Sequence, residues 1–226
     1  MNTHLTPTVD PPRRGLPGAP HTAGDQVGGV RRATPDDAAG LSLTLASAFR
    51  DDPVFTWCIP DPHQRDHRLA AWFRVVVDAL LAHDETYCTR DRAGTALWVP
   101  PDVPPLTEEE GARLGAVTAD LGAPTPERIE ALSELMEARH PQDPHLYLWF
   151  AGVHAQRQGQ GYGGHLLRSR LDRADEEGLP AYLEATSPRN RALYERHGFE
   201  VTGELSVDGS PPLWQMWREP RPARTA

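Results

Sequence analysis

The sequence contains no lysine; all 23 of its basic side chains are arginines. It has no lysine amine to acylate, and no glycine-rich stretch in it closes on the Lys-Ser/Thr pair of a P-loop. Cysteine is nearly missing as well. Cys58 and Cys88 lie far apart and in no metal-ligand spacing, so two free thiols are expected and no metal site. No run of about eighteen apolar residues occurs, which excludes a transmembrane helix. The N-terminus lacks an apolar core followed by a small-residue cleavage site, so a cytoplasmic protein without a membrane partner is expected. Positive charge is in deficit too: the formal net charge is −9, which argues against a nucleic acid held through its phosphates.

What is present is a 226-residue chain, long enough for a sizeable core, with no internal repeat. Residues 1–24 are rich in Pro, Gly and Thr and almost free of large apolar side chains, so they read as a disordered tail. One folded unit is expected over residues 25–219, followed by a short tail over 220–226. A strand is expected over 26–32. Thr34 then caps a helix whose first turn holds Pro35, Asp36 and Asp37. Residues 49–61, with two prolines, read as a loop exposing Phe55 and Trp57. A second long helix is expected over 67–82, and a hairpin over 86–99 turns at the "DRAG" tetrapeptide. Residues 100–144, with prolines at both ends, form a helical insert of two blocks, the second over 127–139.

"LYLWFAGV" (146–153) is nearly all apolar, as a central strand would be. The stretch "QRQGQGYGGHLLRSRL" follows, with four glycines in six positions and then a helical apolar pattern. Further strands are expected over 181–186, 199–205 and 213–217, with a short helix over 188–197. A strand, a glycine-rich turn and a helix N-terminus make an anion site. Unpaired amides converge there, the helix dipole favours negative charge, and glycine lets the backbone approach phosphate oxygens.

The spacing of Gln158, Gly161 and Gly163 matches Q/R-x-x-G-x-G/A. "AGV" stands directly upstream, and "NRALYERHGF" (190–199) supplies a Y-x-x-x-G-F ending. In this order the motifs resemble the GNAT superfamily of N-acetyltransferases. From about Val30 onward, "RATPDD", the proline-bounded insert and "LEATSPRNRALYERHGFEVT" resemble its puromycin N-acetyltransferase-like members.

The resemblance implies an α/β (α+β) fold with a mixed, mostly antiparallel central sheet, V-splayed and flanked by helices. It implies acetyl-CoA as co-substrate, with no metal. Gln158, Gly159, Gln160, Gly161, Tyr162, Gly163 and Gly164 would lie along the diphosphate. The sheet would splay after "FAGV", freeing the Ala151 amide for the acetyl oxygen, while Gly152 and Val153 pair with the pantetheine arm. Tyr194 would protonate the departing sulfur. Asn190, one turn earlier, could contact coenzyme A, although many members carry an asparagine where this chain has Ser187. Glu184 could take the amine proton or hold a cationic substrate, and otherwise reads as a solvated or arginine-paired carboxylate; His154 is a weaker candidate base. His145, His165 and His197 read as satisfied or surface histidines. Asp52, Phe55 and Trp57 could receive the acceptor, a cation and its aromatic body. The expected reaction is acetylation of a primary amine on a small molecule, such as an aminonucleoside-like antibiotic or a biosynthetic intermediate. The alternatives are a protein or peptide amine, or a coenzyme A-binding module without turnover.

Overall fold

In the computed structural model, residues 29–221 are described. The expected tail over 1–24, the start of the first strand and the last five residues lie outside them. Four strands pair antiparallel in sequence order: β1 (Val30–Arg32), β2 (Thr86–Thr89), β3 (Gly94–Val99) and β4 (Leu146–Val153). The other half of the sheet holds β5 (Ala181–Ala185), β6 (Glu200–Leu205) and β7 (Leu213–Arg218). The full order is β1-β2-β3-β4-β5-β7-β6, and only β4 with β5 is parallel. This is the mixed, mostly antiparallel sheet expected. The last strand inserts between β5 and β6, a placement no local pattern announces.

β2 and β3 are buried along their whole length because helices cover both faces. On one side lie α1 (Ala38–Phe49), α2 (Pro53–Cys58) and α3 (Pro62–Leu81). Leu41, Leu45, Phe73, Val76 and Leu97 form the core there. On the other lies α6 (Tyr162–Glu177), whose Leu166, Leu167, Leu171 and Ala174 pack on Trp98, Leu148, Leu183 and Met216. The insert forms α4 (Glu108–Ala119), with Thr107 and Glu110 capping each other, and α5 (Thr125–Ala138). Leu121 and Leu132 of this segment join the α1/α3 core. α7 (Pro188–Arg196) precedes β6.

The loop expected over 49–61 is corrected by two helix starts. Asp52 accepts from the Val54 and Phe55 amides, and Asp61 from the His63 amide, each with proline at the first helical position. Proline fits there because its missing N–H would be unpaired anyway. Thus α2 exists, and α3 begins before the expected His67. Phe55 is consequently not exposed: it packs in a core of Phe49, Trp72, Phe73 and Phe150, with ring centroids 5.1–6.4 Å from its own. The free thiols Cys58 and Cys88 are both buried, which pushes them up to about 12 and about 11 and leaves them unreactive.

Candidate active site

β4 and β5 pair at only two positions, Leu146↔Ala181 and Tyr147↔Tyr182. Beyond them β4 stays with β3 while β5 stays with β7, so the sheet opens from Leu148, earlier than the expected parting after "FAGV". A register shift between β3 and β4 leaves Trp149 unmatched. Such a bulge re-aims the side chains after it. Trp149 and Phe150 both pack toward the α1/α3 side as a result, their centroids 5.2 Å apart.

The split leaves backbone groups free on one edge. The His154 amide donates to Ala93 O on the β3 side, and antiparallel alternation gives Gly152 the same direction. Ala151 and Val153 therefore turn their amides into the split. This corrects Gly152 as a strand partner for pantetheine: its amide belongs to β3. A Cβ there would come 2.9 Å from both Ala48 Cβ and Leu45 Cδ2, so the glycine lets α1 lie close on the strand.

The glycines after β4 divide into two pairs. Gly159 and Gly161 have φ of +77° and +87°, and a Cβ on either would meet nothing within 4 Å. They shape the turn and keep the space before the α6 N-terminus clear, which is the cradle a diphosphate needs. Gly163 and Gly164 also line the cleft, but their Cβ positions face α7 and its end. A Cβ on Gly163 would stand 3.1 Å from Leu193 Cδ2, and one on Gly164 3.4 Å from His197 Nε2. The Gln158 side chain donates from Nε2 to Val153 O and accepts at Oε1 from Arg189. Gln160 bonds to Gln156 O and does not line the cleft, while the Tyr162 hydroxyl donates to Asp91. His154 accepts from the Gln156 amide and does not line the cleft either.

These elements enclose a cleft of about 710 Å³ that runs from the α1–α2 junction past Ala151 and Val153 to the α6 N-terminus and α7. Arg157, Arg189 and Arg196 line it, a cationic set the sequence reading overlooked although Arg189 and Arg196 both lie within "PRNRALYER". Such cations suit a phosphate-rich ligand.

Tyr194 and Asp52 both line this cleft. Burial, with the Asp52 charge added, holds the Tyr194 phenol well above its ordinary range, so it stays a hydrogen-bond donor. Asp52 caps α2 with Oδ1 and accepts from the Thr186 hydroxyl at Oδ2. Burial raises its carboxyl, against the pull of those bonds. Asn190 is occupied locally. Its Oδ1 accepts from the Ser187 amide and its Nδ2 donates to Thr186, which fixes the side chain at the cleft wall and leaves one N–H unassigned. Phe55 and Trp57 do not line the cleft; Trp57 lies under the Arg128 guanidinium, 4.9 Å from its centroid, and its carbonyl accepts from Arg128. The expected trio is thus split.

Glu184 stands on the other face of β5 from Leu183 and Ala185, which pack against α6. The Tyr147 hydroxyl donates to its Oε2 at 2.8 Å, whereas Oε1 is enclosed and has no hydrogen-bond partner among the described residues. Burial pushes its carboxyl up to about 7. Its carboxyl is largely withdrawn from solvent and pairs with no arginine among the described residues. Around it, His145 donates to or accepts from His140 at 3.1 Å between Nε2 atoms, and both rings rest on Tyr182. His145 is buried and His197 bonds to Leu193 O, as satisfied histidines do. Among the described residues, no group of three or more His, Cys, Asp or Glu side chains is placed to hold a metal ion, and no helix is long and apolar enough to cross a membrane.

Residues 48–199 match the Acetyltransferase (GNAT) family. An uncharacterised N-acetyltransferase of Schizosaccharomyces pombe is 26% identical over 205 residues, covering 84% of this chain and 83% of its own. A solved Corynebacterium glutamicum structure, described as histone acetyltransferase HPA2 and related acetyltransferase, has a TM-score of 0.60 at 27% identity, covering 87% of this chain and 98% of the other. Mosquito arylalkylamine N-acetyltransferase like 5b shares the fold, with a TM-score of 0.56 at 15% identity over 84% of this chain and 98% of its own. The split sheet and glycine turn thus have a family to belong to: the chain is a GNAT acetyltransferase, an N-acetyltransferase for which the family implies acetyl-CoA as co-substrate.

Proposed function

We propose that the enzyme acetylates the primary amine of a small molecule by direct transfer, with the acetyl-CoA arm in the cleft and the amine arriving from the α1/α3 side. The observation that carries this reading is the enclosed Glu184 carboxyl, raised to about 7 on that side of the split sheet. A group that titrates near the working pH can take a proton from an ammonium and release it again. Acetyl-CoA supplies the activated acyl group. Gly159 and Gly161 shape the diphosphate cradle, with Arg157, Arg189 and Arg196 complementing its charge, and the amides of Ala151 and Val153 hold the arm.

The Ala151 amide is the donor for the acetyl oxygen as it gains charge. Glu184 accepts the amine proton. Tyr194 donates to the departing sulfur, but its raised phenol is a weaker acid than an ordinary thiol near 8.5. It therefore holds the thiolate by a hydrogen bond rather than surrendering its proton outright. Asp52 tunes Tyr194 and braces β5, in place of the substrate cation first expected of it.

The acceptor class rests on the insert. Leu121 and Leu132 pack into the α1/α3 core, and Arg128 clasps Trp57 on α2, so α4 and α5 wall that side. Such a wall suits a small amine with an apolar body better than a protein tail. The sequence pattern shared with puromycin N-acetyltransferase-like members makes an aminonucleoside the first candidate. Coenzyme A release against a panel of amines, puromycin included, with mass spectrometry of the product, tests the reading. Acetylated small primary amines are expected; turnover restricted to a peptide amine, to alcohols or to no acceptor would contradict it.

A further inference from the structure

Glu184 has two oxygens in unlike surroundings. Oε2 accepts from the Tyr147 hydroxyl at 2.8 Å; Oε1 is shut off from solvent and unpartnered among the described residues. Tyr147 and Glu184 come from different strands, β4 and β5. They reach each other beside Tyr147↔Tyr182, the last pair before the strands part. The tyrosine is therefore anchored by the closed part of the sheet while it orients a carboxyl at the start of the open part.

We propose that Tyr147 is the positioning residue of the reaction: its hydroxyl fixes Oε2 and so sets the orientation and the ionisation of the carboxyl that takes the substrate proton. This rests on Glu184 being the proton acceptor. In the step, an N–H bond of the substrate ammonium breaks and an O–H bond forms on the Glu184 carboxylate. The ammonium becomes a neutral amine and the carboxylate a neutral carboxylic acid. Tyr147 keeps its own proton throughout, since burial, and then the neighbouring Glu184 charge, hold its phenol well above the ordinary value.

Among the groups facing Glu184, Tyr147 makes the best-defined bond to it. From β5, Tyr182 lies alongside: its hydroxyl accepts from the Gln215 amide of β7 and keeps its own proton toward Glu184, a second and weaker support for the carboxylate. From the end of the insert, His140 and His145 pack on the two tyrosine rings, His140 against both and His145 against Tyr182. Burial, then His145, lowers the pKa of His140, so that ring brings no charge near neutrality. Trp217 of β7 closes over His145. Tyr147 is thus the neutral donor that offsets part of the cost of an enclosed carboxylate. Removing its hydroxyl must make Glu184 harder to ionise.

The test is the pH dependence of kcat/KM for a primary amine at saturating acetyl-CoA, in the wild type and in Tyr147→Phe. Activity should rise with pH through about 7 in the wild type. In the variant the limb should move upward by roughly one unit, about tenfold in kcat/KM at a fixed pH on the limb. A second reading needs no turnover. The infrared carboxyl band lost in Glu184→Gln reports Glu184 ionisation directly, and its midpoint should rise in Tyr147→Phe. Should that variant fold poorly, 3-fluorotyrosine at position 147 keeps the hydroxyl, strengthens the donor and should lower the midpoint. An infrared midpoint unmoved by either change overturns the role given to Tyr147. A midpoint that moves while the kinetic limb stays still supports the control of Glu184 by Tyr147 and overturns Glu184 as the proton acceptor.

Discussion

The hydroxyl of Thr186 donates to the carboxylate of Asp52, tying the end of β5 to the start of α2 beside the cleft. One carboxylate thereby caps a helix, holds a strand that has left its neighbour, and places a negative charge near Tyr194. Asp52→Ala removes all three and should cost about 1–2 kcal/mol of stability. It should also raise KM for acetyl-CoA, because the cleft wall loses its brace. Asp52→Asn keeps an acceptor for the cap and should lose less. Chemical denaturation of the two variants checks this; equal stability of Asp52→Ala and wild type would contradict the brace.

Gly161 carries the cofactor assignment. A valine there would stand in the space before the α6 N-terminus and would also strain a backbone at φ +87°. Acetyl-CoA affinity should fall at least tenfold, about 1.4 kcal/mol, as measured by calorimetry on folded Gly161→Val. Gly164→Ala has ordinary contact distances and should bind acetyl-CoA nearly as well as wild type. Equal losses in both variants would argue against the division of the glycines.

In the proposed mechanism the Tyr194 phenol acts on the departing sulfur and not on the amine. Tyr194→Phe removes a donor to developing negative charge and should lower kcat by roughly 10²-fold, with little change in KM for acetyl-CoA and with the pH limb near 7 unmoved. A core tyrosine alone would give the reverse pattern, a lower melting temperature with near-normal kcat.

Glu184 also leaves a mark on stability. Its carboxyl titrates at about 7 in the folded protein against an ordinary 4.5, so between those values the folded state binds the extra proton. Stability should therefore fall as pH rises through that window, by roughly 3 kcal/mol at most. Glu184→Gln should lack this component. The difference between the two melting curves should grow from pH 4.5 to 7 and level off above; a constant difference would mean Glu184 is not enclosed as described.

The glycine turn, its flanking strand and helix, and the Tyr194 segment were legible because each is a local pattern with a local physical cause. The Asp–Pro starts of α2 and α3 were present in the sequence, yet the same dipeptide also opens turns, and only packing of Phe55 against Phe49 and Phe73 decides between them. The place of β7, the early parting at Leu148 and the pairing of Tyr147 with Glu184 depend on contacts between distant segments. Alternation in "AYLEAT" separated Glu184 from the plainly apolar face, but it could not show that Oε1 would be enclosed without a partner.

The most direct measurement is kcat/KM for a small primary amine across pH 5 to 9 in wild type and Glu184→Gln, a range spanning the neutral region in which a tuned base titrates. Wild-type activity should rise with pH through a limb at about 7, where Glu184 ionises. In Glu184→Gln the rate should be depressed above that pH and the limb lost. An identical limb in both proteins would contradict Glu184 as the proton acceptor, and with it the account of how the amine is made ready to attack.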